Sequence, residues 1–152
     1  MSEQKEMSDL DRWVAALQQA LYEQEQATFS ATVLAEARHP QNMSLMDVFD
    51  GYGLVIGPCG DTMEFFVQLD GERVARATFM TDGCGPTVAC GSMLSRMAEG
   101  KRLVEAVAIE AADLIIALDG LPPEHIHCAT LAVNTLGQAL AGCRPDGDDE
   151  GE

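Results

Sequence analysis

Three of the five cysteines sit in settings that change what a thiol can do. Cys59 lies in Gly57-Pro58-Cys59-Gly60-Asp61, Cys84 in Gly83-Cys84-Gly85-Pro86, and Cys128 follows His127 shortly after Pro122-Pro123. Flanking glycines let a backbone wrap closely around a bound group or take positive φ. Pro86 suits a first helical turn, which would set Cys84 at a helix start. The run after Pro123 does the same for Cys128. Helix N-termini favour thiolate, so both thiols are expected to ionise more easily than a free cysteine. Asp61 and His127 add a carboxylate and an imidazole. Three soft sulfurs, one imidazole and one carboxylate suit zinc or iron. The intervals, 25 residues from Cys59 to Cys84 and 44 from Cys84 to Cys128, are too long for a local metal motif. The fold has to assemble the set.

The elements that could do so follow from periodicity. Trp13, Leu17 and Leu21 recur at i, i+4 and i+8, which predicts an amphipathic helix over 9–27 whose stripe packs on the body. A second helix is expected over 30–38, with His39 at its end, because the residue before Pro40 is pushed out of the α region. Residues 42–51 read as irregular and 53–57 as a short apolar strand. Residues 62–69 alternate, with Met63, Phe65, Val67 and Leu69 on one face. Asp70-Gly71 is a strong hairpin signal, and 73–81 reads as the partner strand with Ala75, Ala77 and Phe79 on one face. A two-residue turn at Asp70-Gly71 places residue 59 opposite residue 82, with Cys84 a diagonal neighbour at roughly 7–8 Å. That register sets Phe65 against Arg76, so the pairing is good to about one residue. Both cysteines emerge at the hairpin's open end. Val88, Met93, Leu94 and Met97 predict a helix ending at Gly100, and 103–118 predicts two short helices. From about 124 a last helix carries Cys128, Leu131, Ala132, Thr135, Leu136, Ala139 and Leu140 on one side and ends near Gly142. The order implies an α+β fold.

Composition bounds the rest. The 152 residues carry 9 Lys+Arg against 25 Asp+Glu, a net charge of −16. Such a surface repels phosphate backbones and anionic membranes, which argues against a nucleic-acid binder or a membrane-surface protein. Five cysteines cannot pair fully within one chain. No run is long and apolar enough to span a membrane, and the polar start has no apolar signal region. A cytoplasmic protein with reduced thiols is expected, where cysteines more often bind metal or react than staple a fold. Residues 143–152, rich in acids, are expected to be a disordered tail.

Three segments, GPCGD (57–61), TDGCGPTVACGS (81–92) and LPPEHIHCA (121–129), resemble the cysteine motifs of the IscU/NifU-type iron–sulfur cluster assembly scaffolds. The family patterns are A-C-G-D, G-C-G-S-A-I-A-S-S-S and L-P-P-x-K-x-H-C-S. The DGLPPE run (119–124) is closer to the NifU branch. The resemblance covers about 29–141 and also takes in Phe29-Ser30, Val33 and His39-Pro40-Gln41-Asn42. It implies a three-stranded antiparallel sheet with helices mainly on one face, here preceded by an extra N-terminal helix. Residues 1–27 would be a helical extension and 28–142 the scaffold domain.

The resemblance also implies a function that is not enzymatic. A labile [2Fe–2S] cluster would be built from iron and sulfur supplied by a cysteine desulfurase, then passed to apo-proteins. Cys59, Cys84 and Cys128 would be ligand and sulfur-acceptor thiols, Asp61 the carboxylate that weakens retention, and His127 an alternate ligand. Scaffolds of this type often hold zinc at the site when no cluster is present.

Some positions depart from the pattern. Cys90 replaces the first serine of S-S-S and reads as a small buried residue. Cys143 reads as an exposed bystander and His125 as a solvated histidine. LPPEH replaces the L-P-P-V-K grip of a dedicated Hsp70-type chaperone, which speaks against that partnership. Two other readings compete. One is a stable zinc-binding structural or regulatory domain, which a carboxylate among the ligands disfavours. The other is an enzyme with a Cys128 nucleophile. Neighbours in sequence do not face each other on a helix, so His127 and Cys128 make a poor dyad.

Overall fold

The computed structural model describes residues 8–143, apart from the side chains of 25–27. The first seven residues and the acidic run after Cys143 lie outside the described residues. The elements are α1 (Asp9–Thr28), α2 (Ala31–Arg38), β1 (Gly51–Ile56), β2 (Thr62–Asp70), β3 (Arg73–Thr81), α3 (Gly85–Ala98), α4 (Leu103–Val107), α5 (Ala111–Ala117) and α6 (Ile126–Ala141), with a 3-10 turn at Pro123–His125. The strands form one antiparallel meander in the order β1-β2-β3. The fold is α+β with a three-stranded antiparallel sheet, as the pattern of the sequence implies. Among the described residues no helix is long and apolar enough to cross a membrane.

The hairpin register differs from expectation. Asp70 pairs with Arg73, so the turn is Gly71-Glu72, with Gly71 at φ 66°. A bulge then skips Ala75, and from Gln68↔Arg76 onward Phe65 faces Phe79 rather than Arg76. The three-residue displacement follows from burial. Met63, Phe65 and Val67 are fully buried and need Ala77 and Phe79, also fully buried, across the ladder. The bulge lets Val74 share that side while Ala75 points to solvent, correcting its expected place on the buried face. The Phe65 and Phe79 rings lie 6.0 Å apart, and losing either is expected to cost about 3–5 kcal/mol.

Helices α3 and α6 cover this face. α6 presents Ala132, Thr135 and Ala139 to the sheet, and glycine on β1 lets it come close. A Cβ on Gly53 would stand 2.5 Å from the Thr135 carbonyl oxygen and 2.8 Å from the Ala139 nitrogen. The opposite face is partly covered by a cluster of Phe49, Tyr52 and Phe66 rings, while Leu54 and Ile56 remain exposed. α2 is capped by Ser30, whose Oγ accepts from the Val33 N–H, and it is tied to α3 by the Arg96–Glu36 ion pair.

α1 departs from its expected role. Trp13 is 63% exposed, Leu17 44% and Leu21 53%, so the stripe does not pack on the body. Arg38, in the last turn of α2, lies over the Tyr22 ring of α1, 5.7 Å from its centroid.

Candidate functional site

All five predicted donors gather at one end of the sheet. Gly57–Asp61 closes the β1–β2 connection as a tight turn. The Gly57 N–H donates to the Asp61 carbonyl (2.7 Å), the Gly60 N–H to the Gly57 carbonyl (3.0 Å), and Gly60 sits at φ 89°. The turn leaves Cys59 exposed at its tip and Asp61 half-buried at its base. On the neighbouring loop the Asp82 carboxylate accepts from the Thr62 N–H at 2.7 Å, which fixes the exit of β3 beside the same turn. Cys84 is the N-cap of α3 and is exposed. His127 and Cys128 occupy the first turn of α6, and Cys128 is 1% exposed.

Two atoms link these donors. His127 Nε2 lies 3.5 Å from Cys59 Sγ and 3.8 Å from Cys128 Sγ. Thr87 Oγ1 lies 3.3 Å from Cys128 Sγ, 3.3 Å from Asp61 Oδ2 and 3.8 Å from Cys84 Sγ. Among the described residues no three His, Cys, Asp or Glu side chains are drawn together as metal ligands would be. Cys84, Cys128 and Asp61 instead surround a fully buried hydroxyl. This residue was not legible as part of the site. Its signal was a threonine in TDGCGPTVACGS at the position where the family pattern has alanine.

Electrostatics correct one expectation. Cys128 stands in the first turn of a helix, yet burial pushes its thiol up. The neighbouring Cys84, Asp61 and Cys59 add to this, and only the hydrogen bond from Thr87 opposes it. Desolvation of the charged form outweighs the helix start.

The remaining candidates separate clearly. Cys90 is fully buried inside α3, and burial raises its thiol strongly. Cys143, expected to be exposed, is buried where α6 passes Gly51; its thiol donates to the Ala139 carbonyl at 3.5 Å and is pushed up to about 11 by burial. His125, expected to be solvated, is half-buried between Phe29 (ring centroids 5.2 Å) and His127 (6.4 Å, planes 30° apart). It braces the ring of His127 without touching a sulfur itself.

Comparison with known proteins places this geometry. The family described as NifU-like N terminal domain matches residues 28–144. The chain belongs to the NifU-like N-terminal domain family. The iron–sulfur cluster assembly scaffold protein IscU of Escherichia coli is 36% identical over 118 residues, covering 74% of this chain and 91% of the relative. Two such IscU proteins of Archaeoglobus fulgidus are each 34% identical over 113 residues, covering 74% of both chains. The solved N-terminal part of a nitrogen-fixing NifU-like protein from Brucella abortus superposes with a TM-score of 0.58 at 16% identity, over 74% of this chain and 92% of that one, and so shares its fold. The NifU-like match takes in all five donors and Thr87, and it starts where α1 ends.

Proposed function

We propose that this chain is a scaffold on which an iron–sulfur cluster, [2Fe–2S] in form, is assembled from iron and desulfurase-derived sulfur and then handed to apo-proteins. The cluster is cargo rather than a resident cofactor. One observation carries the reading. In a chain of the NifU-like family, three thiols, a carboxylate and an imidazole converge on one sheet end, two of the thiols open to solvent. In this reading Cys59 and Cys84 meet incoming sulfur and iron, and Cys128 is the fixed inner ligand. Asp61 is a hard oxygen donor among soft ones, so it holds iron less firmly than a fourth thiolate would. His127 is an alternate ligand within reach of two sulfurs. Zinc is a competing guest for the same donors. Loading must displace thiol protons, so uptake rises with pH. The partners are a cysteine desulfurase and apo iron–sulfur clients. The segment speaks against a chaperone that grips L-P-P-V-K, because Glu124 and His125 change it and His125 packs near Phe29 and His127.

The test is anaerobic reconstitution with ferrous iron, cysteine, a desulfurase and dithiothreitol. Visible charge-transfer bands, followed by transfer to an apo-ferredoxin, are expected. Asp61→Ala should lengthen the lifetime of the coloured form. A colourless protein that keeps one zinc against a chelator would overturn the scaffold in favour of a structural zinc domain.

A further inference from the structure

The Thr87 side chain touches three of the five donors. Its methyl group lies against Gly83, where a Cβ would come within 2.8 Å of Thr87 Cβ and Cγ2 and 2.9 Å of Asp61 Oδ2. A glycine is therefore required beside it. A β-branched side chain has few rotamers, and the one adopted turns the methyl to Gly83 and the hydroxyl into the donor set. That hydroxyl carries one proton and two lone pairs, so it donates to Cys128 Sγ or to Asp61 Oδ2 at any moment, not to both. Around a metal ion, sulfur ligands stand at about 2.3 Å and carboxylate oxygens at about 2.0–2.2 Å from a shared centre. Here the same kinds of atom stand 3.3–3.8 Å from Thr87 Oγ1.

We propose that the Thr87 hydroxyl is a placeholder for the incoming metal: it ties Asp61 and Cys128 together in the empty site, must turn away on loading, and thereby weakens retention of the cargo. The proposal rests on the assignment of Cys84, Cys128 and Asp61 as ligands. It adds a release device that acts from the empty state rather than from the ligand set. Each bond that loading breaks counts against the loaded form. Where the family pattern has alanine that penalty is missing.

Cobalt(II) alone serves as the probe, titrated anaerobically into the 152-residue chain and read from its thiolate charge-transfer bands. Thr87→Ala should bind cobalt roughly three- to tenfold tighter than the natural chain, the worth of one net hydrogen bond. Thr87→Ser keeps the hydroxyl and should match the natural chain. Equal or weaker binding by Thr87→Ala, with an unaltered melting curve, overturns the placeholder. Should Thr87→Ala fail to fold, the natural chain decides. Three-bond NMR couplings of the Thr87 methyl report its rotamer, which should change when zinc is added. An unchanged rotamer with zinc held by Cys84 and Cys128 overturns the proposal while leaving the ligand assignment intact. Absence of thiolate bands in every variant removes the ligand assignment, and the placeholder with it.

Discussion

The site has a rim and a floor, built from the same kind of atom. Cys59 and Cys84 sit on the rim, exposed, one at a turn tip and one at a helix cap. Cys128 forms the floor, 1% exposed, with Thr87 and His127 against its sulfur. The difference originates in packing, not in the local motif. The rim thiols are carried by short loops whose glycines leave them open. The floor thiol is carried by a 16-residue helix pressed onto β1 and β2. Thiols of one type thus acquire different accessibilities. The proposed scaffold function, which accepts parts from outside and holds them in register, would use both.

The largest effect should be seen in chemical modification. With iodoacetamide and residue-resolved mass spectrometry, Cys59 and Cys84 should react on the order of 10²-fold faster than Cys128, which reacts only through local opening. Comparable rates would erase the distinction between rim and floor. Gly53→Val should then collapse the distinction by force. Its side chain meets the Thr135 carbonyl at 2.5 Å from Cβ alone, so α6 must lift. Overpacking of this kind costs about 1–3 kcal/mol. The melting temperature should fall by several degrees, and Cys128 should gain reactivity while Cys59 does not. A Gly53→Val protein with full protection of Cys128 would show that β1 does not clamp the floor.

Protonation gives a smaller effect. Burial pushes the thiols of Cys90, Cys128 and Cys143 up, that of Cys143 to about 11. In the unfolded chain these thiols ionise near the usual 8.5. Above that pH the unfolded state loses protons that the folded state keeps, so stability falls as pH rises. For Cys143 the loss should run from about pH 8.5 to 11. Denaturant midpoints measured from pH 8 to 11 should decline steadily, and Cys143→Ala should flatten the slope. A midpoint independent of pH would mean that these thiols are as open as the rim.

How much of this could be read in advance varies by residue. Alternation in 62–69 and the hairpin signal disclosed the sheet, and the cysteine motifs disclosed which donors belong together. The register was missed because a bulge at Ala75 answers to the packing of Phe65 on Phe79, a long-range fact that turn chemistry does not contain. Cys128 departs from expectation for a related reason: a helix start is local, but burial under α3 and the β1–β2 turn is not. Thr87 is invisible in the sequence because zinc and iron are usually held by sulfur, imidazole and carboxylate rather than by a neutral hydroxyl, and only its distances reveal its place. Cys143 looked like a stray beyond a helix until Gly51 gave it a slot.

α1 supplies the control for the clamped α6. Both helices show an apolar stripe, yet the partners differ. The stripe of α6 is made of small and medium residues facing the glycines of β1. The stripe of α1 is Trp13, Leu17 and Leu21, and all three stay open to solvent, Leu21 at the edge of a cleft shared with Phe29, Glu124 and His125. A stripe left in water contributes little to stability, since exposed substitutions usually stay within about 0.5 kcal/mol. Replacing Trp13, Leu17 and Leu21 together by glutamine should therefore leave the melting temperature within about 2 °C, against the several degrees predicted for Gly53→Val. Trp13 is the sole tryptophan and is 63% exposed, so acrylamide should quench its fluorescence almost as readily as that of a free indole. Strong protection from the quencher, or a large drop in melting temperature for the triple variant, would mean that α1 is clamped after all. The contrast with α6 would then disappear.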